Sequence, residues 1–282
     1  MTGRAGVAGR ASAPRARCWA ARLARRAAPA ASFTLALTAA LVLMVPAAGE
    51  PVALAAPLNG ADANSFSGTP AVGALFYRQG GHLEHFCTAS VVRSRHQNLL
   101  ATAAHCMAGR KLAPAGSVIF APGYHNGVFP HGQWVVRAAY TDRRWRASHD
   151  PDDDVAFLLA GRAGRRIQRT TGAETLVTGA GLPQEVRVMG YPDSSRQPVF
   201  CDAAARAFNK HHLRQMVFYC TDYTNGTSGG PFLAHVSGAT DTGRLIGVIG
   251  GYEQGGFTPD VSYSARFGAS VAALFRAAQA AS

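Results

Sequence analysis

The chain has 282 residues, 48% of them hydrophobic, with 28 Lys and Arg against 16 Asp and Glu and a formal net charge of +12. The first 56 residues hold seven of the basic residues and one of the acids, leaving 21 basic against 15 acidic residues. That moderate excess is spread along the sequence without a Lys/Arg cluster dense enough for nucleic-acid binding, and nothing calls for a metal or a cofactor.

Residues 1–56 read as an export signal: an arginine-rich start with Arg25-Arg26, an apolar stretch from about Ala31 to Ala48, and small residues at Ala53-Leu54-Ala55-Ala56. The paired arginines leave both the general and the twin-arginine export routes open. An uncleaved membrane anchor is the alternative, because the apolar stretch approaches the roughly 18 residues that a spanning helix needs. With the signal removed, the expectation is a secreted monomer without a membrane span. Residues 57–70, polar and rich in Gly, Asn and Ser, read as a short pro-segment or linker.

Short apolar runs follow at 72–78, 86–92, 98–103, 117–121, 133–140, 154–159, 174–178, 185–191, 215–220, 231–235 and 244–252, separated by Gly, Pro, Asn and Asp. This spacing predicts an all-β protein. Helical steps occur only in the tail, at Phe267, Val271, Leu274 and Phe275. The glycine- and arginine-rich stretch at 162–172 suggests a division into units 71–165 and 166–282. Roughly 220 residues suffice for one large β unit or two small barrels sharing a core.

Two motifs carry chemistry. Thr102-Ala103-Ala104-His105-Cys106 places a histidine between an apolar strand and a cysteine, and Gly226-Thr227-Ser228-Gly229-Gly230-Pro231 holds a serine in a glycine-rich turn. A serine hydroxyl is a poor nucleophile unless a base lies within hydrogen-bond reach and a third group orients that base. Asp154, opening Asp-Val-Ala-Phe-Leu-Leu, suits the third role, although Asp150, Asp152 and Asp153 stand beside it. His149, His211 and His212 compete with His105 and read as surface residues. The order His, Asp, Ser differs from the Ser, acid, His order of hydrolases built on a nucleophile elbow.

Thr-Ala-Ala-His-Cys around His105, Asp-Val-Ala around Asp154 and Ser-Gly-Gly-Pro from Ser228 resemble the chymotrypsin-like (trypsin-like) serine peptidase family over roughly residues 70–280. Gly190-Tyr191-Pro192 and the Gly-Thr-Ser form of the nucleophile motif are similar to bacterial members, including the glutamyl-endopeptidase branch. The resemblance implies two six-stranded antiparallel β-barrels, His105 and Asp154 in the first and Ser228 in the second, with the C-terminal helix closing the second. It implies a secreted endopeptidase acting on protein or peptide substrates through an acyl-enzyme, with the amides of Gly226 and Ser228 as oxyanion donors and no cofactor. A protease-like binding protein on the same scaffold is the alternative.

Once Cys18 leaves with the signal, four cysteines in an exported chain suggest two disulfides, with three pairings open. Cys87 with Cys106 and Cys201 with Cys220 each close a short loop, and the first resembles the family bridge beside the histidine. A four-cysteine zinc site lacks the usual close Cys-x-x-Cys pair.

Asp222 lies six positions before Ser228, where trypsin-like members carry the carboxylate that pairs with a substrate Arg or Lys. Cys220 stands eight positions before Ser228 and departs from that pattern, so a turn role for Asp222 competes. The opposite pocket wall is expected at Ile249, Gly250, Gly251 and Tyr252. Glutamyl-specific members carry a histidine where Ile249 falls, which argues against glutamate preference. Thr227 replaces the aspartate that pairs with a freed N-terminus in animal enzymes, so activation by that ion pair is not expected.

Overall fold

Apolar side chains at alternate positions of successive short strands allow a sheet to bury one face inside a barrel and the other against a neighbour. The structure, a computed structural model, describes residues 60–282. The proposed export signal lies outside the described residues. Fourteen strands run in chain order: β1 (Asn64–Ser65), β2 (Val72–Gln79), β3 (His82–Val92), β4 (Leu99–Thr102), β5 (Val118–Pro122), β6 (Trp134–Thr141), β7 (Ala156–Gly161), β8 (Thr175–Leu176), β9 (Gln184–Gly190), β10 (Val199–Phe208), β11 (Gln215–Tyr219), β12 (Pro231–Ala234), β13 (Arg244–Val248) and β14 (Val261–Ala265). The α-helices are α1 (Arg143–Ser148), α2 (Ile167–Thr171) and α3 (Ala269–Ala280).

Strands β2-β3-β4-β7-β6-β5 close a six-stranded antiparallel barrel. The second half follows the order β14-β11-β10-β9-β12-β13, with β8 added in parallel at the β13 edge and β1 paired to β10. Side chain and loop contacts close its seam. Ser264 Oγ accepts the Val248 N–H at 3.0 Å and donates to the Ala265 carbonyl, and the Gly250 N–H reaches the Tyr263 carbonyl at 2.9 Å. The two-barrel architecture expected from the resemblance is present as a closed first barrel and a second sheet curled into a half-barrel.

Period-two alternation separates three cores. Leu75, Val91, Leu100, Phe120, Trp134 and Leu158 fill the first barrel, while Val188, Phe218, Phe232 and Ile246 fill the second. Val72, Phe76, Leu99, Phe157, Met189 and Leu233 pack between them. The last set joins the two halves through one packed cluster.

Several elements differ from the sequence reading. Strand β10 lies outside the expected runs because Asp202 and Arg206 occupy its exposed face and alanines dilute its apolar signal. Helix α1 buries only Trp145, so its periodicity is too thin to read; Asp142 caps it by accepting the Arg144 N–H. Residues 61–66 pair with the second barrel through the Ala61–Cys220 bridge and β1. Ile167 and Ala173 pack in the first core, and the chain re-enters the second sheet at Thr175. Helix α3, expected to close the second barrel, packs instead against β7 and β6 of the first, with Phe275 5.1 Å from Phe157 between ring centres.

Glu174, in the crossover between the barrels, is fully buried. Its Oε2 accepts the Gly243 N–H, and its Oε1 has no partner. Burial pushes its pKa up to about 8, with nearby Asp241 contributing in the same direction. The folded state therefore holds a proton that the unfolded chain, near 4.5, has released, and stability falls as pH rises from about 4.5 to about 8. Glu174→Gln is expected to remove this dependence. Its advantage over the wild type should reach a few kcal/mol near pH 8 and shrink toward pH 5, as checked by denaturant unfolding across that range.

Candidate active site

β4 ends at Thr102, and the small buried residues Ala103 and Ala104 carry the chain into a 3-10 turn, His105–Met107. The Cys87–Cys106 disulfide ties that turn to β3. A second 3-10 turn, Pro151–Asp153, delivers Asp154 to the mouth of β7. His105 Nδ1 lies 2.7 Å from Asp154 Oδ2, and the His105 backbone N–H donates to Oδ1 at 2.8 Å. The Gly251 N–H donates to Oδ2 at 2.8 Å, so a fully buried carboxylate receives three hydrogen bonds. Burial without such donors would be prohibitive.

The neighbouring carboxylates have other contacts. Asp150 caps the 3-10 turn by accepting the Asp152 N–H, Asp153 pairs with Arg144, and Asp152 accepts from Gln215 Nε2 at 2.6 Å. Gln215, also fully buried, accepts the Tyr252 N–H and so links the first barrel to the loop that follows β13. Only Asp154 of the four bonds to His105. The Cys87, His105 and Cys106 side chains also cluster closely enough to suggest a metal site, but both sulfurs are already in the disulfide and offer no thiolate.

Ser228 enters from the second barrel. Its carbonyl accepts the Thr88 N–H at 2.7 Å, and the Gly229 N–H donates to the Ile249 carbonyl at 2.7 Å. Gly229 has φ +81°, and a methyl group there would overlap Thr102 Oγ1 and the Thr88 carbonyl, which explains the glycine after the serine. Thr88, which sequence reasoning missed, donates its hydroxyl to the Gly226 carbonyl at 2.9 Å and accepts the Tyr191 N–H. It thereby fastens the Gly226–Ser228 turn beside the disulfide. Among the described residues neither the Gly226 nor the Ser228 amide donates to a protein acceptor, leaving both available to an anion. His85, also missed, packs against Gly226, bonds through Nε2 to the Cys87 carbonyl at 3.0 Å, and is pushed by burial down to about 4, so it is neutral at ordinary pH.

Two adjoining pockets flank this arrangement. One, about 360 Å³, opens at Ser228 and is walled by Tyr223, Thr224, Ile249 and the loop 253–259. The other, about 330 Å³, opens at His105 and is walled by Trp145, His149, Pro151 and Gly251. Glu253, Gln254 and Phe257 line both. Ser228 Oγ and His105 Nε2 are not hydrogen-bonded to each other, as is common before a substrate closes the site.

The expected pocket residues divide. Ile249 lines the Ser228 side and Gly251 the His105 side. Gly250 packs on Asp154 and Ala103, where a side chain would be tight. Tyr252 points away and packs among Phe208 and Tyr263. Asp222 is exposed at φ +66°, its carbonyl accepts the Thr224 N–H, and it is not among the residues that line the pocket at Ser228. The left-handed turn directs it outward, and Tyr223 enters instead, donating to the Val188 carbonyl at 2.7 Å. Glu253 is the carboxylate in the pocket wall. It was unreadable in sequence because it sits in a loop whose path depends on two consecutive positive-φ residues, Glu253 and Gln254.

The second disulfide, Cys201–Cys220, braces β10 against the segment that leads to Ser228. His211 and His212 are exposed and His149 lies at the pocket rim, so none of them approaches Asp154 as His105 does.

Residues 87–248 match the trypsin-like peptidase domain. The fold is similar to that of the protease Anisep from Arthrobacter nicotinovorans, at 22% identity and a TM-score of 0.66 over 77% of this chain and 99% of that one. It is also similar to the thermostable serine protease AL20 from an extremophilic microorganism (23%, 0.63, 76% and 99%) and to a Glu endopeptidase in complex with MPD (15%, 0.59, 78% and 97%). No curated protein matches the chain.

Proposed function

The chain belongs to the trypsin-like peptidase family, and on that premise we propose that it is a secreted serine endopeptidase using Ser228, His105 and Asp154. The observation that carries this reading is the buried Asp154 holding both the backbone N–H and ring Nδ1 of His105. That contact fixes the ring and places the proton on Nδ1, so Nε2 is free to accept the Ser228 proton as Oγ attacks the scissile carbonyl. The oxyanion then forms against the unengaged Gly226 and Ser228 amides. His105 next protonates the leaving amine, and the same base activates the water that releases the acyl group. Two disulfides and the signal-like leader support export.

Thr227 is nearly buried, and its hydroxyl donates to the Thr224 carbonyl at 2.7 Å. The position that would meet a freed N-terminus is thus satisfied locally, which supports activation without that ion pair. An added N-terminal tag should leave activity unchanged.

We assign the preference for Arg or Lys to Glu253 rather than Asp222. Glu253 is partly exposed at the pocket wall, so the pairing is worth about 1 kcal/mol at most. Glu253→Gln should lower kcat/KM for peptides with Arg before the scissile bond roughly fivefold, while Asp222→Asn leaves it unchanged. Equal effects of the two variants, or none, would remove Glu253 from the pocket.

The unformed Ser228–His105 hydrogen bond favours a second reading, a binding protein on the protease scaffold. Comparing wild type and Ser228→Ala on a denatured protein mixture distinguishes them, because only a peptidase generates serine-dependent new termini.

A further inference from the structure

Along the first barrel the aspartates gather at one end, interleaved with Arg143, Arg144 and Arg146, while arginines predominate at the other. Asp142, Asp150, Asp152, Asp153 and Asp154 all fall between β6 and β7, at the end that carries His105. At the other end of β7, about 17 Å away along six residues, the fold collects arginines that are scattered in the sequence. Arg137 of β6 joins Arg162, Arg165 and Arg166 of the hairpin after β7 around a groove of about 520 Å³. Arg93 and Arg95 of the β3–β4 turn and Arg169 of α2 flank it, for Asn98 of that turn lines the groove and Arg169 Nε donates to Gln97 at 2.8 Å.

All seven arginines are exposed, and among the described residues none takes part in an ion pair. Two lie over glycines. A methyl group on Gly161 would collide with the Arg137 guanidinium, and one on Gly132 with that of Arg162, which also donates to the His131 carbonyl at 3.4 Å. Guanidinium groups laid on the main chain lose less freedom when they bind.

We infer that this pole binds a linear phosphate-bearing polymer, recognised through its charge, while the cleft at the opposite end stays open. The planar guanidinium fork matches paired phosphate oxygens. No aromatic side chain lines the groove, so it has no platform for stacking nucleobases. Val128 and Phe257, the exposed large hydrophobic residues among the described ones, do not line the groove, so among the described residues the pole has no apolar anchor for a membrane. The inference does not depend on the peptidase reading, because its test is a binding measurement.

Binding of the purified protein to inorganic polyphosphate, measured across a salt series, tests it. Arg137→Gln/Arg162→Gln/Arg165→Gln should weaken binding at least tenfold near 0.1 M salt and reduce the salt slope by about two. A control with the same charge change elsewhere, Arg196→Gln/Arg206→Gln/Arg244→Gln, should bind like wild type, and circular dichroism should show both variants folded. Equal weakening by the control, failure of the wild type to bind, or tighter binding of duplex DNA at equal phosphate concentration would each overturn the proposal.

Discussion

Ser228→Ala is expected to lower kcat about a million-fold, with new termini in a denatured protein mixture vanishing to background. The Ser228 side chain has no hydrogen bond to protein, and its backbone is held independently through the Thr88 N–H and by Gly229. Removing Oγ should therefore leave stability within about 0.5 kcal/mol of wild type. That separation makes the result decisive. A folded variant that still cuts would place the nucleophile elsewhere, and a wild type that never cuts, with both disulfides formed, would favour the binding protein.

Asp154→Asn should also cut turnover severely, about a hundredfold less than loss of the serine, and should affect the fold as well. Oδ2 accepts from both His105 Nδ1 and the Gly251 N–H, while Oδ1 accepts the His105 backbone N–H. An amide NH₂ in place of Oδ2 faces two donors, and a flipped amide presents NH₂ to the third. The first arrangement pushes the His105 proton to Nε2, the wrong nitrogen for accepting from serine. A loss of about ten-thousand-fold in kcat is expected, with a loss of about 1–3 kcal/mol in stability from the unsatisfied buried donor. Rate measurements against pH and a denaturant titration check both. Asp153→Asn, which weakens the contact with half-exposed Arg144 and leaves Asp154 and His105 in place, should retain near-normal turnover.

Much of the fold was legible because alternation and turn residues are local signals. Strands such as β2 and β5 have long buried apolar runs, whereas β10, with Asp202, Arg206 and four alanines, does not. The helical step of the tail was legible too, but its partner was not. Phe275 could have packed on either barrel, and only the chain path after β14 brings it to Phe157. Asp222 misled because an offset along the sequence does not specify direction; one left-handed residue turns its side chain out of the cleft.

What the sequence determined by itself was chemical and local: a histidine beside a cysteine, a serine in a glycine turn, four cysteines for two bridges, and strands separated by turns. What only the tertiary structure decided was juxtaposition. Asp154 alone of four adjacent acids reaches His105, Thr88 holds a turn 138 residues away, Glu253 replaces Asp222 in the pocket wall, and distant arginines form one pole. The physical reason is that intrinsic preferences act over a few bonds. Hydrogen bonds, pockets and fields depend on distances of a few ångströms between segments remote in the chain, and packing alone sets those distances.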